Sequence, residues 1–438
     1  MLRIIFKEVR VRGMDGKFDV LVEGSRIAAI KKHIRSDADE IIKGEGRLLL
    51  PSFTDMHFHL DSVLTQGMYG YNVSGTLLEG IQLWNEIKKK LTIDDIEKRA
   101  TKAIKMMVSC GTTRLRTHAD VSDPTLKTLK ALMKVKERCR NLIDIQITAF
   151  PQNGIFTDDE NAALLEKAVE IGADNVGMIP HYEYTREDGV RSIDFAFSLA
   201  KRYGKCIDGH VDETDDANSR FLEVLAAKTI REKYQGKVTA GHATAMHAYN
   251  GAYMQKLLML LKKSEITVVS NPLINVHLQG RFDTYPKRRG VTRIKELLKH
   301  GINVALGHDC IMDPWYPLGK GDMMQVLFMA VHLEHMTGID EIKNSFDLIT
   351  SNPARALNIQ TSYGVEAGKM ADLVLLDARD ETEALSKLLP PLVVLKSGRI
   401  VASRNELDIR VNDQELSDAS EKTHTIYGWD ESELLKYT

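Results

Sequence analysis

The chain of 438 residues contains only four cysteines, and no two of them have C-x-x-C spacing. This scarcity argues against a disulfide framework and against a cysteine zinc site. Long hydrophobic runs are also absent, since no stretch approaches the roughly 18 apolar residues that a membrane-spanning helix needs. The N-terminal residues alternate charged and apolar side chains, which predicts a strand and not a secretion signal. These absences together favour a cytoplasmic protein.

A strong excess of charge of either sign is missing as well. The formal net charge is −2 and the sequence pI is about 6.7. The bulk composition therefore predicts no nucleic acid partner and no attraction to an anionic membrane. The length fits one large barrel or sandwich together with an accessory domain.

Helical and β-rich stretches alternate between residues 51 and 364. Helical patterns occur near residues 92–110, 161–171, 191–203, 216–233, 251–263 and 291–300. Short β-rich runs occur near residues 49–57, 113–118, 143–149, 175–180, 205–210, 237–242, 266–271 and 302–309. Eight strands joined by helical connections predict an α/β fold, a (β/α)8 TIM-type barrel.

The two ends of the chain do not fit this barrel pattern. Residues 1–50 and 365–438 contain short alternating runs separated by turn signals, such as Val20-Leu-Val-Glu23 and Leu392-Val-Val-Leu395. We predict that both ends build one small β-sandwich domain. The last 25 or so residues are polar and acidic, and we interpret them as a loose tail or an interface arm.

Polar residues follow nearly every predicted strand. In chain order they are His57 and His59, His118, Gln152, His181, His210, His242, Asn271 and Asp309. Burying imidazoles and carboxylates is costly unless they are paired or bound to a metal. Barrel enzymes carry their chemistry at the C-terminal ends of the strands. Because alternate residues of a strand face the same side, His57 and His59 are suited to bind one metal ion.

Several longer stretches carry a resemblance to a known family. They are Arg116-Thr-His-Ala-Asp120, Ala149-Phe-Pro-Gln152, His210-Val-Asp-Glu213 and the runs 242–253, 275–290 and 313–319. With the H-x-H pair, they resemble the amidohydrolase superfamily and, along nearly the whole chain, bacterial cytosine deaminase. The resemblance implies a free pyrimidine base as substrate and a homo-oligomer, with a hexamer as the expected state. No cysteine follows a proline, which excludes the P-C-x-x-C design of nucleic-acid-editing deaminases.

The resemblance also implies a single divalent metal ion, Fe2+ or Zn2+, with His57, His59, His210 and Asp309 as its ligands. Three neutral imidazoles and one carboxylate leave a position for a water molecule, whose pKa the cation lowers. Binuclear relatives keep a carboxylated lysine after the fourth strand, and this chain has no lysine there. A mononuclear centre is therefore expected. His118 and His181 have no metal role in the family and are interpreted as structural residues or as residues that support the ligands.

The remaining site residues come from the same resemblance. Glu213 is expected to carry a proton to the pyrimidine N3 and on to the departing ammonia. His242 is expected to hold and deprotonate the attacking water beside the ligand Asp309. Gln152 offers one donor and one acceptor, which match the N1–H and O2 edge of a pyrimidone. Leu77 and Trp315 are expected in the pocket wall.

One position departs from the family pattern. Directly after Asp309, where cytosine deaminase has a second aspartate, this chain has Cys310. That side chain is expected to face C5 of the pyrimidine, where a smaller and largely apolar thiol leaves room for a methyl group. We therefore predict that 5-methylcytosine is a better substrate than cytosine and that 5-fluorocytosine is accepted.

Three other interpretations stay open at this point. In the first, the protein is an ordinary cytosine deaminase and Cys310 has no effect on its substrate preference. In the second, the enzyme acts on isoguanine or s-triazine rings, since related barrels reuse the same metal site. The third is a structural paralogue that has lost its metal. The presence of all four ligands argues against the third, and Gln152 together with Glu213 favours a pyrimidone over the other rings.

Overall fold

The computed structural model describes residues 1–409 and 421–422. The chain begins with five strands of a terminal sheet: β1 (Arg3–Val11), β2 (Lys17–Glu23), β3 (Arg26–Lys31), β4 (Glu40–Lys43) and β5 (Leu48–Pro51). β1 pairs antiparallel with β2 and parallel with β4 and β5. The two-residue period of a strand places Ile4 and Phe6 in one apolar cluster and Ile5 in another.

Eight parallel strands then form a barrel in chain order. They are β6 (Phe53–Phe58), β7 (Thr112–Asp120), β8 (Asp144–Phe150), β9 (Asn175–Val176), β10 (Cys206–Val211), β11 (Val238–His242), β12 (Thr267–Ser270) and β13 (Val304–Leu306). The first and last strands meet just at their C-terminal ends. There the His59 N–H donates to the Asp309 carbonyl at 2.9 Å, and the Asp309 N–H donates to the His57 carbonyl at 2.8 Å.

Helices connect these strands and cover the barrel. They are α1 (Leu77–Lys90), α2 (Ile93–Ser109), α3 (Lys127–Cys139), α4 (Asn161–Glu170), α5 (Arg186–Tyr203), α6 (Phe221–Arg231), α7 (Gly251–Ser264), α8 (Pro272–Leu278), α9 (Ile294–Lys299), α10 (Met323–Leu333), α11 (Ile339–Ser345) and α12 (Ser351–Ala356). α2 shows why the pattern is helical. The Thr92 hydroxyl caps its first turn by accepting the Asp95 N–H, and its apolar face, from Ile96 to Met107, is buried against the barrel.

The chain finally returns to the terminal sheet through β14 (Leu373–Leu375), α13 (Glu381–Lys387), β15 (Val393–Lys396) and β16 (Arg399–Ser403). β14 pairs antiparallel with β5 and with β15, so both ends of the chain share one sheet. A short ladder joins Asp408–Ile409 to Glu421–Lys422. The rest of the predicted polar tail lies outside the described residues.

The predicted barrel and the β domain from both termini are confirmed. The single strand predicted near 49–57 is wrong, because two strands occupy that segment. β5 belongs to the terminal sheet and β6 to the barrel, and the break falls at Pro51 and Ser52, where proline has no N–H to donate to a ladder. Within the described part of the chain, no helix combines the length and apolar character that a bilayer span requires.

Candidate active site

A cavity that opens to solvent lies at the C-terminal ends of the barrel strands. Nine of the ten residues predicted for the site line it, namely His59, Leu77, Gln152, His210, Glu213, His242, Asp309, Cys310 and Trp315. The tenth, His57, is fully buried, and its ring lies 4.5 Å from that of His210. The structure thus brings together side chains from the ends of five strands, β6, β8, β10, β11 and β13, and from α1.

The predicted metal ligands lie in two groups of donor atoms that share His57: one has His59, His118 and His210, and the other has His242 and Asp309. Nε2 of His210 lies 3.2 Å from Nε2 of His57 and 3.0 Å from Nε2 of His59. The Asp309 carboxylate oxygens lie 3.8 and 3.6 Å from the same two nitrogens. Ligand atoms about 2.0–2.1 Å from a tetrahedral ion are separated by about 3.3 Å, so this spacing fits one small divalent cation.

The protonation states of these side chains agree with metal binding. Burial lowers the pKa of His57, His59 and His210 well below the ordinary value, so the imidazoles are neutral, as ligands must be. Burial raises the pKa of Asp309 well above its ordinary value. An isolated carboxylate is costly at this depth, and a cation is the partner that would offset that cost.

Glu213 and His242 form a pair beside these ligands. Nδ1 of His242 lies 3.1 Å from Oε1 of Glu213. The Asn275 amide donates to His242 Nδ1 at 3.0 Å and to Glu213 Oε1 at 3.4 Å. Burial, and then the charge of Asp309, raises the pKa of Glu213 well above its ordinary value. A carboxyl group with a raised pKa holds its proton more readily and is suited to proton transfer.

The backbone at these strand ends is in a conformation that side chains rarely adopt. The φ angles are +67° at His242, +72° at Asp309 and +53° at Asp212. Such residues cost about 1–3 kcal/mol each and cluster at functional sites. Asp212 is held there because its carboxylate accepts the Phe221 and Leu222 N–H groups at the start of α6, at 3.0 and 2.9 Å. This anchor directs the neighbouring Glu213 towards the cavity.

The backbone of β11 passes so close to the side chain of the predicted metal ligand His57 that a glycine is required there. A Cβ added to Gly241 would lie 2.8 Å from Nδ1 of His57, closer than real contacts allow. Gly241 therefore makes room for the ring of His57 in the barrel interior.

Gln152 lies on the loop that follows β8, and a buried carboxylate holds that loop. Glu183 accepts the N–H groups of Ile155 at 2.6 Å and Phe156 at 3.0 Å. Neither Glu183 nor Asn275 was predicted as a functional residue. Nothing in the sequence distinguishes Glu183 from a surface carboxylate, whereas Asn275 lies in the family-like run 275–290.

Helix α1 forms one wall of the cavity through Leu77 and Ile81. One turn further along, the Trp84 ring packs 6.1 Å from the ring of Trp315. Asp120, at the end of β7, accepts from Trp84 Nε1 at 2.8 Å and from Lys88 Nζ at 2.9 Å. Two side chains on one face of α1 thus share a single buried carboxylate, which fixes the helix across the barrel mouth.

Cys310 is buried in the cavity wall beside Asp309. Its thiol donates to Oδ1 of Asp309 at 3.3 Å. Burial, and then the charge of Asp309, raises its pKa well above that of an ordinary thiol. The side chain is therefore an uncharged thiol at neutral pH, and Ile179, Ile274 and Leu278 add further apolar wall that was not predicted.

Comparison with known proteins gives a consistent result. The amidohydrolase family profile matches residues 90–402. The solved 5-methylcytosine deaminase from Klebsiella pneumoniae, liganded with 5-fluorocytosine, is 43% identical with a TM-score of 0.90 and covers 94% of this chain and 99% of its own. N-isopropylammelide isopropyl amidohydrolase from Pseudomonas sp. (strain ADP) is 32% identical over 91% of this chain and 96% of its own. Pterin deaminase from Rhizobium rhizogenes is 29% identical over 83% of each chain.

Proposed function

Because the chain belongs to the amidohydrolase family, we propose that it is a metal-dependent hydrolase that deaminates free cytosine-type bases and prefers 5-methylcytosine. The observation that carries the proposal is a single cavity that contains Gln152, Glu213, the cluster of metal-type donors and Cys310. Similarity to the 43% identical 5-methylcytosine deaminase supports it.

The side chains suit each step of such a reaction. Gln152 binds the O2 and N1–H edge of the base with its acceptor and donor. The three imidazoles and Asp309 would hold a divalent cation, which would supply Lewis-acid activation of water. His242 orients that water and accepts its proton, while the water oxygen adds to C4 of the ring.

Glu213 carries the protons that complete the reaction. It delivers one proton to N3 as the new C4–O bond forms. The hydroxyl group on C4 then gives up its proton, which Glu213 passes to the exocyclic amino group. The C4–N bond breaks as the C4 carbonyl forms, and ammonia leaves. The proton held by His242 returns to Glu213, 3.1 Å away. The products are thymine from 5-methylcytosine and uracil from cytosine. The raised pKa of Glu213 supports this role, because the group must alternate between its two protonation states.

The preference for a 5-methyl group follows from the Cys310 side chain. Burying one methyl group is worth about 0.8 kcal/mol. Replacing a carboxylate that would face this methyl with an uncharged thiol adds about 1–3 kcal/mol. Together these effects correspond to about one to three powers of ten in kcat/KM.

The test is the kcat/KM of the native chain and of Cys310→Asp with cytosine and with 5-methylcytosine. We expect the native enzyme to favour 5-methylcytosine and the aspartate variant to favour cytosine. Cys310→Ser is the matched control, because it keeps a small uncharged side chain and should keep the preference. A native preference for cytosine that Cys310→Asp leaves unchanged would contradict the proposal.

A deaminase of isoguanine or s-triazine rings is the second candidate. The 32% identical N-isopropylammelide amidohydrolase favours it. Amine release from a panel of 5-methylcytosine, isoguanine and N-isopropylammelide separates the candidates, because each predicts a different best substrate.

The bound ion and the assembly complete the proposal. We propose one Fe2+ or Zn2+ per subunit, since this donor set suits both ions, and a homo-oligomer, with a hexamer expected. Large apolar side chains on loops are open to solvent, with Tyr71, Val73, Phe282 and Tyr285 exposed by 68, 89, 87 and 90%. Subunit contacts commonly cover such side chains. Elemental analysis and light scattering test these two statements.

A further inference from the structure

His118, a buried histidine that is not among the predicted metal ligands, lies directly beside two of them. It is in β7 and is fully buried. Its ring stacks on that of His59 at 5.0 Å and 25°, and lies 4.2 Å from the ring of His57. The role of this histidine is not explained by the reaction proposed above.

Both ring nitrogens of His118 face acceptors of the protein. Nδ1 lies 3.2 Å from the carbonyl oxygen of Phe58, and Nε2 lies 3.1 Å from Oδ2 of Asp208. Nδ1 is in hydrogen-bond geometry, whereas Nε2 is close to Asp208 without a formed hydrogen bond. A donor atom of His118 lies within 4.8 Å of those of His57, His59 and His210, and the Nδ1 contact places its ring to support the metal ligands. Phe58 is the residue between His57 and His59, so His118 contacts the peptide that joins the two ligands.

This contact lies where the ladder between β6 and β7 is irregular. The register shifts between Asp55 and Phe58. On the same edge, the Leu60 N–H donates to the Thr117 hydroxyl at 3.0 Å. Side chains of β7 therefore hold the end of β6 on both sides of His59.

A second set of side chains holds Asp208, the carboxylate next to His118. The Thr148 hydroxyl donates to Asp208 Oδ2 at 3.0 Å, and Arg116 Nη1 lies 3.8 Å from Oδ1. Arg116 is itself fixed, because it donates to the Thr239 hydroxyl at 2.8 Å and to the Gln146 side-chain oxygen. Burial alone would raise the pKa of Asp208, but Arg116 and His118 outweigh burial and lower it, so the carboxylate is charged.

Barrel interiors are mostly apolar, and buried charges are energetically costly. The charged network around Asp208 therefore indicates a functional role. We infer that His118, held by Asp208, is a positioning residue that fixes the peptide between His57 and His59 and so preorganises the metal site. The inference rests on the metal site of the proposed function but not on its substrate. Comparable partners of metal ligands are worth about 10–100-fold in metal affinity.

Three substitutions of His118 separate its two contacts. His118→Asn keeps an amide nitrogen near the position of Nδ1 and can still donate to Phe58. His118→Gln places its amide near Nε2, towards Asp208, and His118→Phe removes both contacts.

The measurement is the Zn2+ dissociation constant of the metal-free protein by competition with a chelator, alongside the Tm of the metal-free protein. We expect Gln and Phe to weaken Zn2+ binding by about 10–100-fold, and Asn to stay within about threefold of native.

His300→Phe is the control, because the His300 side chain contacts only the Glu296 carbonyl of its own helix among the hydrogen bonds described. It should leave the Zn2+ dissociation constant unchanged. The inference is wrong if folded His118→Phe binds Zn2+ as tightly as the native chain, or if Asn weakens binding as much as Phe does.

Asp208→Asn provides a second test should His118→Phe fail to fold. It keeps the shape of the side chain and loses the charge that holds Nε2 of His118. We expect a loss in Zn2+ affinity of about tenfold, and native affinity would overturn the role given to Asp208. Failure of the proposed substrate would leave this pattern intact, because affinity is measured without substrate.

Discussion

The properties of the single residues in this site come from burial more than from residue type. Glu213 and Glu223 are both glutamates near α6, yet only Glu213 is deeply buried, next to Asp309 and His242. Its raised pKa follows from that environment. Glu223, in contrast, is half-buried, and its carboxylate pairs with Lys256 at 3.2 Å.

Replacing Glu213 with Gln should therefore separate chemistry from metal binding. The amide keeps the shape and the contact with Asn275 but cannot transfer a proton. We expect kcat to fall by about 10²–10⁴-fold, while the metal content stays native. Asp309→Ala should instead lose both metal and turnover, and Glu223→Gln should change neither. Near-native turnover of Glu213→Gln would move the proton-transfer role to another residue.

The residue-scale predictions from sequence were strongest where the chemistry is unusual. Histidines at strand ends are costly to bury, so His57, His59 and His210 were visible from their positions alone. Asn275 and Glu183 were not, because amides and carboxylates are common on surfaces and their role depends on distant partners. Glu183 acts on a loop 27 and 28 residues away in the sequence, which no local pattern encodes.

At the scale of elements, α1 is the part of the barrel mouth most open to a test. It contributes Leu77 and Ile81 to the cavity, and its far half is held by Asp120 through Trp84 and Lys88. Lys88 is only 6% exposed, so its ammonium depends on that carboxylate. A buried cation without its partner is strongly unfavourable.

Asp120→Asn should loosen α1 and weaken substrate binding. We expect KM for the base to rise about tenfold, equivalent to about 1.4 kcal/mol, with a smaller change in kcat, because the proton-transfer groups lie on other elements. Steady-state kinetics with the best substrate give both values. Glu86→Gln is the control, since its ion pair with Lys89 lies on the exposed face of the same helix. Unchanged KM in a folded Asp120→Asn protein would show that α1 does not shape the site.

Element types were predictable from periodicity, and element boundaries were not. The apolar run from Leu48 to Phe53 looks like one strand, yet Pro51 and Ser52 divide it between two sheets. A distant segment determines where the first strand ends, because β14 is the partner that pairs with β5. Such a pairing between distant segments leaves no trace in the local pattern.

At the scale of the whole molecule, buried ion pairs join the terminal sheet to the barrel. Asp372, next to β14, contacts Arg114 of β7 and, at 3.2 Å, Lys396 of β15. It also accepts the Ser397 N–H at 2.5 Å. Arg114 is near the N-terminal start of its strand, the end opposite the cavity. This contact therefore contributes to stability without reaching the active site.

Asp372→Asn should destabilise the protein in a way that depends on pH. Burial alone would raise the pKa of Asp372, but Arg114 and Lys396 outweigh burial and lower it below the unfolded value of about 3.9. The stabilisation is therefore fully present above that value and is lost as the pH falls through the lower pKa of the folded state. Near pH 7 we expect a loss of about 3 kcal/mol, because the substitution removes the buried carboxylate and leaves Arg114 and Lys396 with the exposed Asp144.

Thermal unfolding of native and variant chains across a pH series tests this prediction. The deficit in Tm should be largest near pH 7 and should narrow as the pH falls below about 4, where the unfolded chain takes up the proton first, and through the lower pKa of the folded state, where the native carboxylate is protonated too. Asp340→Asn, at an exposed position, should show no deficit at any pH. Metal content of Asp372→Asn at pH 7 should equal that of the native chain, since the substitution lies away from the ligands. A deficit that is constant across the series would mean that the carboxylate acts through its shape and hydrogen bonds and not through its charge.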